Sequence, residues 1–153
     1  MSYYRRIKKE IKKLIKQNYA VFDNFKEGDK LYVYLLDEYN SLYMVSFLFS
    51  DEYPFKSPKV YIGEKDYIKL LCDLSNKIYK NHKDNKCLCC NSILCNVWSP
   101  TISILDIMKE VEFMIKLYLN FIKKNSDIIF LKIIYTRLNI NINVIYNTIY
   151  DFL

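Results

Sequence analysis

The chain has 153 residues, of which 52% are hydrophobic, 16% aromatic and 26% charged. This is the usual size of one domain, and the hydrophobic content can fill a core, which excludes a mainly disordered chain. We therefore expect a single domain over residues 1–153. Lysine and arginine number 23 against 17 for aspartate and glutamate, so the net charge is +6.

The excess positive charge is concentrated at the N-terminus. Residues 1–16 contain seven basic residues and one acidic residue, Glu10, so this segment accounts for the whole net charge of the chain. A nucleic-acid-binding domain more often spreads its basic residues over a broad face. We therefore expect no nucleic-acid partner. The pattern indicates a basic helix that meets an acidic partner surface, and a merely solvated helix face is the alternative.

The first part of the chain is predicted to contain one helix and three strands. Isoleucine and leucine recur at helical spacing among basic residues over 2–17, which predicts an amphipathic helix. Runs rich in β-branched and aromatic residues predict strands over 31–36 and 41–49, separated by the hairpin sequence DEYN. A third strand is predicted over 59–62, after a turn that contains two prolines.

The remainder of the chain is predicted to be helical apart from an irregular stretch that contains cysteines. Apolar residues at helical spacing predict helices over residues 64–80, 101–124, 127–138 and 142–153. Ser99 is the expected cap of the second of these helices. The order of helix, strand meander and helices indicates an α+β fold.

No secretory leader and no apolar segment suited to spanning a membrane is evident in the sequence. We therefore expect an intracellular protein, cytoplasmic or nuclear, with reduced thiols and no membrane partner.

Four of the five cysteines fall within nine consecutive positions, and this cluster allows three interpretations. The first is a zinc site: Cys87 and Cys90 form a C-x-x-C pair that Cys95, Cys72 or His82 could complete. The chain has no second ligand pair of the kind that structural zinc usually uses, so we expect no metal.

The second interpretation is structural, and the third is catalytic. Reduced cysteines are small hydrophobic residues, and burial is the favoured interpretation for Cys72, Cys87 and Cys95. A nucleophilic thiol would instead be partly exposed, beside groups that favour the thiolate or stabilise an oxyanion.

Several segments resemble one protein family, and they occur in the family's order. They are RRIKKEIKKL (5–14), YPFKSPKV (53–60), IYKNH (78–82), and CNSIL (90–94) followed by WSP (98–100). Over residues 2–122 the chain resembles the ubiquitin-conjugating (UBC) enzymes. The resemblance implies a UBC-like α+β fold with an N-terminal helix, an antiparallel meander sheet, a central helix and C-terminal helices. It also implies an insertion, about residues 64–77, before the active-site loop.

The resemblance selects one cysteine as the nucleophile. Cys90 stands eight residues before Trp98 and eight after His82, as the family's catalytic cysteine does from its tryptophan and its motif asparagine. The resemblance implies that Cys90 accepts ubiquitin, or a related modifier, from an activating enzyme as a thioester and passes it to an amine or a ligase. It implies no cofactor, because ATP is used by the activating enzyme. The alternative is a noncatalytic UBC-like adapter that binds ubiquitin or a partner.

Two departures from the family pattern lie close to the nucleophile. The family's His-Pro-Asn is replaced by Lys80-Asn81-His82, so the oxyanion or loop-ordering role of its asparagine is expected of His82 or Asn81. Ser92 stands where many members have an aspartate and some have a serine, and it completes the expected catalytic set.

The resemblance also implies docking residues. The activating enzyme is expected to meet Arg5, Arg6 and Lys9, and RING-type ligases are expected to meet Pro54, Phe55, Lys56, Pro100 and Thr101. Phe55 is the expected anchor, because exposed aromatic residues dominate interface energetics. Trp98 is expected to be structural and to fix the loop beside Cys90.

Overall fold

The computed structural model describes residues 2–24, 30–78 and 87–137. The chain divides into two compact units, Met1–Lys116 and Leu117–Leu153. The first unit holds the sheet and the candidate site, and the described residues of the second belong to a helix. None of the helices within the described ranges is long and apolar enough to cross a membrane.

Helix α1 covers Ser2–Lys16, as its amphipathic pattern predicts. Ile7 and Leu14 on its apolar face are completely buried. The helix ends at Lys16, and Asn18 in the turn that follows has a positive φ of 64°. The N–H of Asn18 and the N–H of Tyr19 reach back to carbonyls of the last helical turn. This arrangement satisfies carbonyls that a helix end otherwise leaves unpaired, and asparagine tolerates the left-handed conformation that it needs.

Five antiparallel strands form one sheet in chain order. They are β1 (Ala20–Asn24), β2 (Lys30–Leu36), β3 (Leu42–Leu48), β4 (Lys59–Ile62) and β5 (Lys65–Asp66). The three predicted strands and the meander are confirmed, and so is the α+β fold class. Sequence analysis missed β1 and β5, because the first ends in residues of low β propensity and the second has only two residues.

The core lies on the inner face of this sheet. Val33 of β2 pairs with Val45 of β3, Leu31 pairs with Phe47, and all four side chains are completely buried. Their alternation with half-buried neighbours is the period of two expected of a strand with one covered face.

Helix α2 covers Tyr67–Ile78, inside the predicted range 64–80. Helix α3 begins at Ile104 and runs without interruption to Arg137. The predicted division into two helices at residues 124–127 is therefore wrong. That segment contains no glycine or proline, and the Asn125 side chain donates to the Phe121 carbonyl, one helical turn earlier. The predicted helix over 142–153 lies outside the described residues.

The cap of α3 is Ser103 rather than Ser99. The N–H and hydroxyl of Ser103 both donate to the Asp106 carboxylate, at 2.9 and 2.6 Å. In return, the Asp106 N–H donates to the Ser103 hydroxyl oxygen at 3.3 Å. This reciprocal arrangement is a capping box, and it starts the helix four residues later than the predicted cap would.

Candidate active site

Cys90 lies on an irregular loop between α2 and α3, and it is exposed. The described part of this loop, residues 87–103, consists of turns and bends rather than a strand. The Asn96 side-chain amide donates to the Cys90 carbonyl at 3.5 Å, which connects two parts of the loop. The thiol is therefore accessible while the backbone beside it is held.

Ser92, two residues after Cys90, is completely buried. Its hydroxyl donates to the Glu110 carboxylate of α3 at 2.7 Å, and the Ile93 N–H donates to the second oxygen of the same carboxylate at 2.9 Å. The Leu94 N–H donates to the Ser92 oxygen. Glu110 therefore ties two successive loop residues, Ser92 and Ile93, directly to the central helix, and Leu94 is connected to it through Ser92. This geometry gives Ser92 a positioning contact, and a catalytic role for it stays a prediction.

Helix α2 supports the same loop at two points. The Tyr67 hydroxyl donates to Glu110 at 3.0 Å, so it shares an acceptor oxygen with Ser92. The Leu88 N–H donates to the buried Ser75 hydroxyl oxygen at 2.7 Å. Helix α2 thus holds the loop directly through Ser75 and indirectly through the Glu110 carboxylate that Tyr67 shares.

Burial of the Tyr67 ring raises the pKa of its hydroxyl, and the negative charge and hydrogen bond of Glu110 raise it further. A raised pKa keeps the phenol protonated, so Tyr67 remains a hydrogen-bond donor to Glu110.

Trp98 connects the cysteine loop to the turn after β3. Its indole N–H donates to the Pro54 carbonyl at 3.0 Å, and its ring lies 6.2 Å from that of Tyr53, centroid to centroid. The expected structural role of Trp98 is confirmed by these contacts. The peptide bond between Tyr53 and Pro54 is cis.

The predicted ligase-binding residues lie in the two turns that Trp98 joins. Phe55 is 81% exposed, which excludes core packing as the reason for this aromatic residue. Lys56, Pro100 and Thr101 are exposed as well, and Pro54 is half-buried. Their expected binding roles stay predictions.

The cysteines differ from expectation in two respects. Cys87 and Cys89 are joined in a disulfide, so the prediction of reduced thiols is wrong for this pair. Their Cα atoms are 5.4 Å apart, a normal spacing for a disulfide, because the chain turns between them. Cys95 is exposed, so its interpretation as a buried structural thiol is wrong, and Cys72 is half-buried.

Cys90 lies beside this disulfide. Its Sγ atom is 3.9 Å from Cys89 Sγ, and the sulfur atoms of Cys87, Cys89 and Cys90 all lie within 4.8 Å of one another. Among the described residues, these three cysteines have sulfur atoms close enough to one another to bind a single metal ion. The disulfide uses the thiols of two of its three members.

The basic residues of α1 have different surroundings. Arg5 and Lys9 are exposed, as a docking surface requires. Arg6 is half-buried, donates to Glu10 at 2.6 Å and to the Ile102 carbonyl at 3.0 Å, and stacks over the Tyr53 ring. Burial alone would lower the pKa of Arg6, but the hydrogen bond and charge of Glu10 raise it. Arg6 therefore has an internal function, although sequence analysis expects it to dock a partner.

Glu10 is the acidic residue of the basic helix, and it is buried. Besides Arg6, its carboxylate accepts the Tyr53 hydroxyl at 3.0 Å and the Ile104 N–H at 2.8 Å. A buried carboxylate at the first residue of α3 stabilises that helix through its unpaired N–H groups and its dipole. Glu10 thus links α1, the turn after β3 and the start of α3.

Sequence analysis missed the roles of Glu10 and Glu110. A signal was present, because each carboxylate interrupts a buried stripe: Glu10 follows Ile7 by three residues, and Glu110 continues the spacing of Ile104 and Ile107. Spacing of this kind places an acidic residue at the edge of the core, where it needs partners. The proposed oxyanion residues, Asn81 and His82, lie outside the described residues.

Comparison with protein-family models gives one match, to the model described as ubiquitin-conjugating enzyme, over residues 6–120. Neither the curated proteins nor the solved structures contain a match to this chain. The matched range includes α1 from Arg6 onward, the sheet, the cysteine loop and the first half of α3.

Proposed function

The chain belongs to the ubiquitin-conjugating enzyme family, and we propose that it is an active member, with Cys90 as the residue that carries ubiquitin. The observation that carries this proposal is the exposed thiol of Cys90 on a loop that partly buried hydrogen bonds tie to Glu110 of α3. An acyl carrier needs this combination, because the sulfur must meet two large partners in turn while its orientation is retained.

The proposed reaction has two acyl transfers. The Cys90 thiolate attacks the thioester carbonyl of ubiquitin on the activating enzyme, a carbon–sulfur bond forms, and the activating enzyme's sulfur leaves as a thiolate. An amine then attacks the new thioester, its nitrogen loses a proton, and Cys90 leaves as a thiolate. Both steps pass through a tetrahedral oxyanion, which requires a hydrogen-bond donor.

We assign that donor to the segment that contains Asn81 and His82, on the basis of the family resemblance alone. A side-chain amide or an imidazole N–H can serve. Ser92 is assigned a positioning role in both steps, because its hydroxyl proton is directed at Glu110.

The partners proposed are ubiquitin or a related modifier, an activating enzyme and a RING-type ligase. Arg5 and Lys9 are exposed on the basic face of α1 and suit an acidic surface of the activating enzyme. Phe55 offers the ligase an exposed aromatic anchor beside the loop that Trp98 holds.

The test is a loading assay with activating enzyme, ATP and ubiquitin, performed on reduced protein. We expect the wild type to form an adduct that a thiol reductant removes. Cys90→Ala should abolish the adduct. Cys95→Ala is the matched control, because Cys95 is also an exposed cysteine on this loop, and it should leave the adduct unchanged. An unchanged adduct in Cys90→Ala contradicts the proposal. Absence of any adduct in the wild type favours the noncatalytic adapter instead.

A further inference from the structure

The three sulfur atoms at the start of the cysteine loop form a group whose chemistry goes beyond acyl transfer. Cys87 and Cys89 are already joined, and Cys90 is an exposed thiol within 4.8 Å of both. A thiolate this close to a disulfide can undergo thiol–disulfide exchange once side-chain rotation brings it into line with the bond, because exchange proceeds by attack of the thiolate on one of the two sulfur atoms.

We propose that Cys87, Cys89 and Cys90 form an exchange site that reversibly removes the nucleophile by pairing Cys90 with Cys87. The Cys90 thiolate forms a bond to Cys87 Sγ while the bond between Cys87 and Cys89 breaks. Cys89 leaves as a thiolate and takes up the proton that Cys90 released. No oxidant is consumed, because one disulfide replaces another.

Attack on Cys87 is preferred to attack on Cys89, although Cys89 Sγ lies only 3.9 Å from Cys90 Sγ. Adjacent residues have Cα atoms about 3.8 Å apart, below the usual disulfide range of about 4.4–6.8 Å. A bond between neighbouring cysteines would therefore be strained. Cys87 and Cys90 instead have the C-x-x-C spacing of many exchangeable disulfides.

The surroundings favour access by small reagents. Cys90 is exposed and its two neighbours are half-buried, so a dissolved disulfide or thiol can reach the group. Formation of the first disulfide removes two electrons and two protons from Cys87 and Cys89. A low-molecular-weight disulfide such as oxidised glutathione accepts them and becomes two thiols.

The consequence for activity follows from the choice of partner. With Cys87 and Cys89 paired, Cys90 is a free thiol that can load. With Cys87 and Cys90 paired, it cannot. The exchange thus regulates the same residue that the proposed function uses, and only this consequence rests on the proposed function.

The exchange itself can be measured without ubiquitin. We would equilibrate the purified chain in oxidised glutathione, block free thiols by alkylation at low pH and map the disulfides by mass spectrometry. We expect a peptide in which Cys89 is alkylated while Cys87 and Cys90 are joined within the same peptide, and loss of that bond after reduction. Glutathione attached to Cys90, or Cys90 fully alkylated with Cys87 and Cys89 still paired, would overturn the proposal.

Variants give an ordered second test in the loading assay after the same oxidation. Cys89→Ser leaves Cys87 as the partner, so it should lose more loading than the wild type. Cys87→Ser removes the preferred partner and should lose less, and Cys95→Ser should match the wild type. Equal losses in all four proteins would contradict the exchange. Absence of loading before oxidation would contradict the proposed function and leave the disulfide map to decide the exchange.

Discussion

The buried hydroxyl of Ser92 donates a hydrogen bond to the Glu110 carboxylate at 2.7 Å, which ties the loop just after Cys90 to the central helix. The same carboxylate accepts the Ile93 N–H and the Tyr67 hydroxyl. One acidic side chain of α3 therefore connects the loop to both α3 and α2. Removal of this carboxylate should disturb the position of the loop, because Ser92 and Ile93 would lose their hydrogen bonds to α3.

Glu110→Ala should lower the free energy of unfolding by about 1–3 kcal/mol, because buried donors lose their acceptor. It should also slow loading of Cys90, since the loop beside the thiol loses its anchor. Glu110→Gln keeps one acceptor oxygen, so its free energy of unfolding and its loading rate should lie between those of Glu110→Ala and the wild type. Urea unfolding and single-turnover loading measure the two effects.

Glu112→Gln is the matched control for this prediction. Glu112 is on the same helix, but it accepts a hydrogen bond from Tyr19, which lies just before β1 and outside the cysteine loop. We expect it to change stability without slowing loading. If a folded Glu110→Ala protein loads Cys90 at the wild-type rate, the loop does not need the Glu110 carboxylate as an anchor.

Variants of Arg6 and Lys9 should distinguish a contribution to folding stability from a contribution to docking. Arg6→Ala removes a partner of the buried Glu10 and should lower the free energy of unfolding by about 1–3 kcal/mol. Lys9→Ala changes an exposed residue, so its effect on stability should stay within about 0.5 kcal/mol.

The docking effect of Lys9 should be visible in the loading kinetics. Lys9→Ala should raise the concentration of activating enzyme that gives half-maximal loading, and added salt should reduce the difference from the wild type. The dependence of loading rate on activating-enzyme concentration at low and high salt measures this. A Lys9→Ala protein that matches the wild type at low salt would exclude Lys9 from the docking surface.

Phe55→Ala should weaken transfer of ubiquitin to a ligase-stimulated acceptor while leaving stability and loading unchanged. The reason is that Phe55 is 81% exposed and has little packing to lose. Leu42→Ala, a change at a 64% exposed apolar residue at the start of β3, is the control. The discharge rate with and without a RING-type ligase measures the effect, and equal discharge by both variants would remove Phe55 from the ligase surface.

The capping box of α3 should make stability depend on pH. The hydrogen bond from Ser103 holds the pKa of Asp106 below its usual value of 3.8, against an opposing contribution from burial. The group contributes stability above its unfolded-state pKa and loses it as the pH falls through the lower folded-state pKa.

Asp106→Asn should therefore be less stable than the wild type near neutral pH by about 1 kcal/mol, the usual effect of a helix cap. The difference should shrink as the pH falls below the usual aspartate pKa. Urea unfolding of both proteins across this range measures it. A difference that stays constant down to acid pH would show that the ionised carboxylate is not the source.

Much of the fold could be predicted from the sequence because its strongest patterns are local. The amphipathic spacing in α1 and the alternation in β2 and β3 are each visible within one segment. Strand β1 could not be predicted, because its short sequence is stabilised by pairing with β2 rather than by its own propensity. The polar composition of residues 123–127 suggests a break in α3. The helix nevertheless continues, because this segment contains no glycine or proline to interrupt it.

The candidate site was predictable in its nucleophile but not in its supporting contacts. Motif spacing identifies Cys90, whereas the partners of Ser92 and Arg6 come from helices distant in sequence. The pairing of Cys87 with Cys89 depends on how the chain turns, which cysteine spacing cannot decide. Long-range polar contacts of this kind require the folded structure.

The central claim, that Cys90 carries ubiquitin as a thioester, is tested most directly by identifying the bond in the loaded protein. Wild-type protein loaded after reduction should carry one ubiquitin on the peptide containing Cys90, and a thiol reductant should release it. Cys90→Ser should instead form an adduct that resists the reductant and is cleaved by hydroxylamine, as an oxyester is. An adduct on another cysteine, or one in the wild type that survives the reductant, would contradict the account.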